Sequence, residues 1–283
     1  MGFTPTSRTS LKNGTDGWIN GSILAGTNVP EGEGTGTYGH ISDWNTSNVD
    51  DMNYLFNNKT TFNEDISKWD TSSVTKMHVM FGSCSNFNQD ISTKQITAQN
   101  SITGQAYTAW DTSNVTNMAN MFKSATVFNN GQTNNGASVP LNWNTSSVTN
   151  MYGMFESASA FNQLIDWVTS NVTSMGNMFK RATVFNQNIQ TWDISSVLTM
   201  SNMFFMASAM HAIYGVYGTA PNQYFSNTPN ALFFPGPPPP PPDPICFPKG
   251  TPVLTNLGPI AIEKLNPDKH TIRGNEIVAI TQS

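Results

Sequence analysis

The side chains able to do nucleophilic or acid–base chemistry are few in this sequence and lie far apart. A cysteine thiolate can attack a carbonyl carbon when a histidine or another base is placed beside it. The chain has two cysteines, Cys84 and Cys246, and four histidines, His40, His78, His211 and His270. The histidines show no spacing typical of a metal site or a catalytic triad, and cysteines this distant form no disulfide framework. We therefore expect no metal, no cofactor and no enzyme within residues 41–211.

Carboxylates recur along the same region, but not at a spacing that binds calcium. EF-hand loops and nonapeptide calcium repeats place their acidic residues at fixed, short offsets. The acidic residues here recur only loosely, as Asp65, Asp70, Asp90, Asp111 and Asp193. The sequence therefore predicts no calcium site among them.

Composition excludes several classes of partner. Charged residues make up 11% of the 283 residues, against roughly 25% in an average soluble protein. The net charge is −5 and the 13 lysines and arginines are scattered, so there is no basic face for a nucleic-acid backbone. No apolar run approaches the roughly 20 residues of a membrane span. The first residues also lack the apolar stretch typical of a secretory signal.

Six similar segments fill the chain between Trp44 and Phe204. The clearest reads WDTSNVTNMANMFKSATVF, from Trp110 to Phe128. Each copy opens with a tryptophan, and these are Trp44, Trp69, Trp110, Trp143, Trp167 and Trp192. The openers lie 25, 41, 33, 24 and 25 residues apart, which indicates a unit of about 25 residues with insertions after the second and third copies. A fixed period of this length predicts a solenoid of stacked copies.

Within each copy the apolar residues follow a helical spacing. In the third copy, Met118, Met121, Phe122 and Ala125 lie at offsets 0, 3, 4 and 7. Those offsets place the four side chains on one face of a helix. Val115 and its polar neighbours indicate a short strand before that helix. We therefore expect an α/β, leucine-rich-repeat-like solenoid, with one short parallel strand, a helix of about two turns and a return loop in each copy.

Two sets of recurring residues allow both a structural and a binding interpretation. Most of the 14 methionines fall on the apolar positions of the copies, where their register with Phe and Ala favours a core over an adaptable ligand surface. Cys84 takes the place that alanine has in later copies, which favours a small buried thiol.

The asparagines after the last phenylalanine of each copy could satisfy turn backbone groups or form a polar ligand-binding ladder. They are Asn63, Asn88, Asn129, Asn162 and Asn186.

The repeat pattern resembles the BspA-type leucine-rich-repeat surface family and its relatives with 25-residue repeats in mycoplasma surface lipoproteins, large DNA viruses and protists. The clearest matches are Trp110–Phe128, Trp143–Gln163 and Trp167–Gln187. The resemblance covers residues 41–211. It implies a solenoid for surface display and for binding a protein or carbohydrate, and it carries no catalytic residues. It implies a location on a cell surface, outside the cell or on a virion.

The segments on either side of the repeats have different compositions. Residues 1–40 contain Trp18, which lies 26 residues before Trp44, and are expected to form an N-terminal cap that could be a degenerate repeat. The insertions near residues 91–109 and 129–142 are expected to form loops, where recognition tends to occur. Residues 212–245 form a linker that ends in PGPPPPPPDP, residues 235–244, an extended polyproline II spacer.

Residues 246–283 begin with CFPKGTPVLTNLGPIAIEKL, whose turn at Asn256–Gly258 between two apolar runs indicates a β-hairpin. This segment resembles the opening of the Hint fold of inteins and hedgehog autoprocessing domains. The resemblance implies that Cys246 would attack the carbonyl of Ile245 and convert the amide into a thioester. A plain hairpin with an incidental cysteine is the equal alternative. The family's Thr-x-x-His motif is absent and His270 does not replace it. We therefore expect a partial Hint segment, a fragment or a decayed remnant, with little or no self-cleavage.

Two functions follow from these observations. The first is a non-enzymatic adhesion solenoid that binds an unidentified protein or carbohydrate, with no nucleic-acid partner and no membrane span. The second is an autoprocessing precursor cleaved between Ile245 and Cys246. A polyproline-docked intracellular scaffold ranks below both.

Overall fold

The computed structural model describes residues 2–132, 140–214 and 234, together with the backbone of four short strands between residues 252 and 276. The chain divides into two compact units, Met1–Pro237 and Pro238–Ser283. The first unit holds all six copies. Among the described residues, no helix is long and apolar enough to cross a bilayer.

Consecutive copies lie side by side and are joined by parallel backbone hydrogen bonds. Single-residue parallel bridges link one copy to the next at Asp51–Lys76, Lys76–Asn117, Asn117–Asn150, Asn150–Ser174 and Ser174–Thr199. In the third copy the N–H groups of Met118, Asn120, Phe122 and Ser124 donate to carbonyl oxygens of the fourth copy at 2.7–3.0 Å. Every second N–H group of this segment is therefore satisfied by the neighbouring copy.

The helix expected over Met118, Met121, Phe122 and Ala125 is not formed, and this part of the α/β prediction is wrong. The N–H groups of Met121, Lys123 and Ala125 donate three residues back, at 3.0–3.2 Å, as in successive tight turns. Asn120 and Ser124 have φ angles of 54° and 58°, which a right-handed helix does not allow. The turns nevertheless point the four apolar side chains inward, so the offsets of a helix are reproduced without one.

The core consists of side-chain columns, meaning the same position in successive copies. The phenylalanine column Phe81–Phe122–Phe155–Phe179 has ring centroids 5.5–5.6 Å apart, and the rings are nearly parallel. A second phenylalanine from each copy stacks on the first, as Phe128 does on Phe122 at 3.9 Å. Four methionines of the columns are fully buried, as expected if the recurring methionines form the core and not a ligand surface. They are Met118, Met121, Met151 and Met154.

Tryptophans form a third column, which also ties each copy to an earlier one. The rings of Trp110, Trp143, Trp167 and Trp192 follow one another at 6.0–6.2 Å with interplanar angles of 3–10°. The indole N–H of Trp143 donates to the carbonyl oxygen of Ile91 at 2.8 Å, and the other indoles make equivalent bonds. Indole N–H groups need a partner when they are buried, and these bonds supply it.

The N-terminal segment covers the first copy with a helix and a small sheet. Helix α1 spans Arg8–Ile19 and begins with a capping box in which the Ser7 side chain accepts from the Ser10 N–H. Strands β1 (Thr4–Pro5) and β2 (Gly34–Thr35) pair antiparallel. Trp18 lies within α1 and packs edge-on against Trp44 at 6.0 Å, so it does not open a copy as the six later tryptophans do. A 3₁₀ turn at Ile41–Asp43 leads into the first copy.

The N-terminal segment also caps exposed backbone acceptors of the first copy. The guanidinium of Arg8 donates to the carbonyl oxygen of Asn53 through both Nε and Nη2, at 3.0 and 2.8 Å. Each later copy receives hydrogen bonds at the equivalent carbonyl from the copy before it. Arg8 therefore replaces a preceding copy at this position.

The first insertion is a hairpin and not an irregular loop. Strands β3 (Lys94–Ile96) and β4 (Tyr107–Ala109) pair antiparallel, with a 3₁₀ turn at Ala98–Asn100 between them. The Tyr107 hydroxyl donates to the carbonyl oxygen of Lys68 and fixes the hairpin to the second copy. In the second insertion, residues 133–139 lie outside the described part of the chain.

The sixth copy leads directly into helix α2, Ser208–Tyr214. Phe234, which the sequence-based division places in the linker 212–245, is only 3% exposed and belongs to the core of the first unit. The second unit contains two antiparallel hairpins. One pairs β5 (Pro252–Thr255) with β6 (Gly258–Ala261), and the other pairs β7 (Thr271–Ile272) with β8 (Asn275–Glu276).

Candidate functional site

The predicted chemical groups are not brought together by the described part of the chain. Cys246, Ile245 and His270 lie outside the described residues, as does the polyproline run. Cys84 is buried, and burial raises the pKa of its thiol to about 12. Its Sγ contacts the carbonyl oxygen of Lys59 at 3.1 Å. A thiol of this kind is inert at neutral pH, because the thiolate is the nucleophilic form.

The histidines of the first unit have separate surroundings. His40 faces Glu64 at 3.4 Å, and His78 contacts Tyr54. His211 lies on α2, where burial lowers the pKa of the imidazole although a hydrogen bond to the Phe204 backbone opposes that shift. Among the residues that the structure describes, no three histidine, cysteine or acidic side chains are grouped so that they could hold a metal ion.

The recurring aspartates serve turns. The Asp70, Asp111 and Asp193 side chains accept from the backbone N–H two residues further on, at 2.9–3.0 Å. The Ser195 hydrogen bonds hold the pKa of Asp193 below its usual range. Asp65 and Asp90 make the same kind of turn with Ser67 and Ser92. These carboxylates therefore fix local backbone geometry, which explains why they recur only loosely.

The asparagine ladder is also engaged in backbone contacts. The side-chain oxygens of Asn63, Asn88, Asn129 and Asn162 each accept from the backbone N–H of the corresponding asparagine in the next copy, at 2.8–3.0 Å. Gln163 and Gln187 add bonds to the backbone oxygens of the same column. These bonds agree with the structural interpretation of the asparagines and not with a ligand-binding ladder, because the side-chain oxygens already accept hydrogen bonds from the next copy.

Glu156 is a buried carboxylate between two lysines from neighbouring copies. Its oxygens lie 3.0 Å from Lys123 Nζ and 3.2 Å from Lys180 Nζ. Burial alone would raise the pKa of Glu156, but the two ammonium groups outweigh burial and hold that pKa below its usual range. This group of charges joins the third, fourth and fifth copies.

Exposed aromatic side chains occur on one set of adjacent columns, which we call the tyrosine face. It is defined by Tyr54, His78, Asn117, Asn150, Tyr152 and Asn177. As residues, Tyr54 is 42% exposed and Tyr152 is 39% exposed. The bridges that join consecutive copies run through Asn117 and Asn150, so these side chains are positioned by the ladder itself.

Both tyrosine rings are held by their hydroxyl groups. The Tyr152 hydroxyl accepts from Asn177 Nδ2 of the next copy at 2.7 Å. Tyr54 lies 3.0 Å from His78 Nε2, while His78 Nδ1 lies 2.9 Å from the carbonyl oxygen of Ala119. A carbonyl oxygen only accepts, so Nδ1 carries a proton, and in the neutral imidazole Nε2 then accepts from the Tyr54 hydroxyl. The rings therefore have fixed positions on the surface.

Small residues make room for the rings along the same column. A Cβ atom added to Gly176 would lie 3.2 Å from both Cδ2 and Cε2 of Tyr152, so this ring lies against the next copy. Ala119 takes the corresponding place beside His78 and is buried. Neither tyrosine stands out in the sequence by its type or its spacing. The sequence signal for this surface is one repeat position that holds His78, Ala119, Tyr152 and Gly176 in successive copies, so that large and small residues alternate. It becomes visible only when the copies are aligned position by position.

The fold and these surfaces define a protein of tandem, mutually hydrogen-bonded copies of about 25 residues. A family model described as "Mycoplasma protein of unknown function, DUF285" matches the chain over residues 32–138 and 132–223. These matches cover more than half of the chain, which therefore belongs to this family of mycoplasma-type repeat proteins. No curated protein and no solved structure matches the chain. Neither family match reaches residues 246–283, so the Hint resemblance gains no support from the comparisons.

Proposed function

We propose that this protein is a non-enzymatic binding or adhesion module of the BspA type, displayed on a cell surface or a virion, with a protein or carbohydrate as its ligand. The observation that carries this proposal is the tyrosine face, where fixed aromatic rings are exposed beside the amides of Asn117 and Asn150, whose Nδ2 groups have no acceptor among the described residues. Exposed aromatic side chains held in one conformation lose little entropy on binding, which favours recognition. The leucine-rich-repeat class implied by the resemblance stays a prediction.

Rigidity of the backbone supports the same proposal. In each of the first five copies, every second N–H group of the segment that corresponds to Met118–Ser124 is hydrogen-bonded to the next copy, and stacked aromatic rings fill the core. A surface built on such a ladder presents its side chains at a regular spacing of about 4.8 Å per copy. Membership of a mycoplasma-type repeat family agrees with a surface role, although that family carries no assigned ligand.

The test is a cell-binding measurement with the full chain. Fluorescently labelled protein should bind whole eukaryotic or bacterial cells saturably, and unlabelled protein should compete. Digestion of the cells with protease in one arm, and with mild periodate in another, separates a protein ligand from a carbohydrate ligand. Binding that neither saturates nor is reduced by unlabelled protein on any cell type would contradict an adhesion role.

Autoprocessing at Cys246 is the second candidate, and the hairpin β5–β6 is the observation that favours it. The strands Pro252–Thr255 and Gly258–Ala261 pair as the turn at Asn256–Gly258 and its flanking apolar runs predict, six residues after the cysteine, where a Hint segment or a plain hairpin would both place them. In this reaction the Cys246 thiol would replace the amide nitrogen on the Ile245 carbonyl, and water or a thiol would then release the first unit. Intact mass after incubation with thiols is the measurement. A product ending at Ile245 that disappears in Cys246→Ala supports cleavage, and an unchanged full-length mass excludes it for this polypeptide.

A further inference from the structure

We propose that the part of the tyrosine face around Tyr152 is a binding site for a neutral polysaccharide, with the Tyr152 ring as the stacking platform and the Asn117 and Asn150 amides as hydrogen-bond donors. This inference rests on the proposed binding function and names the ligand class of that surface.

The Tyr152 ring is placed for stacking because it is both exposed and immobilised. Its hydroxyl is held by Asn177 and its edge lies against Gly176, while the residue as a whole is 39% exposed to solvent. A pyranose ring presents C–H groups on its faces, and these pack against the electron-rich face of an aromatic ring. A tyrosine that is already fixed in position adds little ordering cost on binding.

The amides beside the ring have unused donors. Asn117 Oδ1 accepts from the Ala119 N–H, and Asn150 Oδ1 accepts from the Tyr152 N–H, both at 3.0 Å. Within the described part of the chain, no acceptor is found for Nδ2 of either side chain. Asn117 and Asn150 are bridge partners in adjacent copies, so their amides are separated by about one interstrand spacing of 4.8 Å. Hydroxyl groups along the edge of a sugar chain could accept from both.

Charge selects the kind of polysaccharide. From the third copy onward the bridge column carries only uncharged side chains, namely Asn117, Asn150, Ser174 and Thr199. An anionic polymer needs a row of cations to replace its counterions, and this column offers one beside the site, Lys76, the bridge partner of Asn117 in the second copy. A neutral chain of hydroxyl-bearing rings fits best.

The experiment is affinity electrophoresis of the full chain in native gels containing laminarin, galactomannan or dextran, with hyaluronan as the anionic comparison. We expect at least one neutral polysaccharide to retard the wild-type protein. Tyr152→Ala should raise the Kd derived from that retardation about tenfold, which corresponds to about 1.4 kcal/mol of binding free energy. Tyr152→Phe keeps the ring and should stay within about threefold of the wild type, since such a change is well under 1.4 kcal/mol.

Two further variants separate the site from general effects on folding. Gly176→Val leaves Tyr152 itself unmutated but displaces its ring, because even the Cβ atom at position 176 would lie 3.2 Å from Cδ2 and Cε2 of that ring, and this variant should weaken binding as well. Val184→Ala removes a side chain that is 43% exposed in another column, and should bind like the wild type. Matching circular dichroism spectra and urea midpoints confirm that each variant is folded.

Several results would overturn the proposal. They are no retardation by any neutral polysaccharide, retardation by hyaluronan alone, or equal retardation of the wild type and Tyr152→Ala. If the protein binds cells saturably but binding resists periodate and is lost after protease treatment, the adhesion function stands and the polysaccharide site fails. If cell binding is absent as well, both proposals fail.

Discussion

Replacing Val79 with glycine should stabilise the protein, although glycine substitutions usually destabilise. Val79 has a φ of 54°, a left-handed conformation that is unfavourable for a β-branched side chain. Its backbone is held there because its N–H donates to the Ala119 carbonyl oxygen of the next copy at 2.9 Å. In the fourth copy the same position is already a glycine, Gly153, with a φ of 60°.

The expected gain follows from two opposing terms. Relief of the left-handed conformation is worth about 1–2 kcal/mol for a residue with a Cβ. The greater freedom of glycine in the unfolded chain costs about 0.5–1 kcal/mol. The Val79 side chain is only half-buried, so little packing is lost. Val79→Gly should therefore raise the free energy of unfolding by up to about 1.5 kcal/mol, with a midpoint of about 0.75 kcal/mol.

Urea denaturation followed by circular dichroism measures this change, provided that the dependence on urea is the same in both proteins. The matched control is Val184→Gly, the same substitution at an exposed residue without a positive φ, which should destabilise by about 0.5–1 kcal/mol. If Val79→Gly destabilises as much as Val184→Gly does, strain at this position is absent and the turn geometry assigned to the copies is wrong.

Three other outcomes follow from the packing and the charges. Phe122→Ala should lower the free energy of unfolding by about 3–5 kcal/mol, measured in urea, whereas Val127→Ala at the exposed end of the same copy should change it by less than about 0.5 kcal/mol. Because the pKa of Glu156 is lowered in the folded state from its usual 4.5, its stabilising contribution is complete above that value and is lost as the pH falls through the folded pKa. Stability measured against pH should thus fall less steeply in Glu156→Gln. Cys84, with its pKa raised to about 12, should escape iodoacetamide at pH 8 until the protein is unfolded, as peptide mapping would show.

The core could be predicted from the sequence because burial depends on which positions recur as apolar. The offsets of Met118, Met121, Phe122 and Ala125 identified four buried side chains correctly. The same offsets could not identify the backbone. A helix and a run of tight turns both bring these positions to one side, and the hydrogen-bond partners that distinguish them lie in the next copy, far away in sequence.

A sequence signal for the turns was present in the columns with positive φ. Asn120, Asn177 and Asn202 share one such column with Gly153, and asparagine and glycine are the residues that tolerate a left-handed conformation best. The tyrosine face could not be found in this way. Its definition depends on which side chains lean towards which neighbour, as Tyr152 does over Gly176, and this is a property of the assembled ladder.

The tryptophan column has an optical consequence. Indoles that are nearly parallel and 6.0–6.2 Å apart, as in Trp110, Trp143, Trp167 and Trp192, are close enough for their transition dipoles to couple. Their near-ultraviolet circular dichroism should therefore exceed the sum of four isolated indoles, and excitation of one ring should migrate along the column before emission. Replacing Trp143 with phenylalanine would interrupt this path while keeping an aromatic ring in the core. The intensity of the near-ultraviolet circular dichroism should thus report how many consecutive copies are, on average, stacked in register.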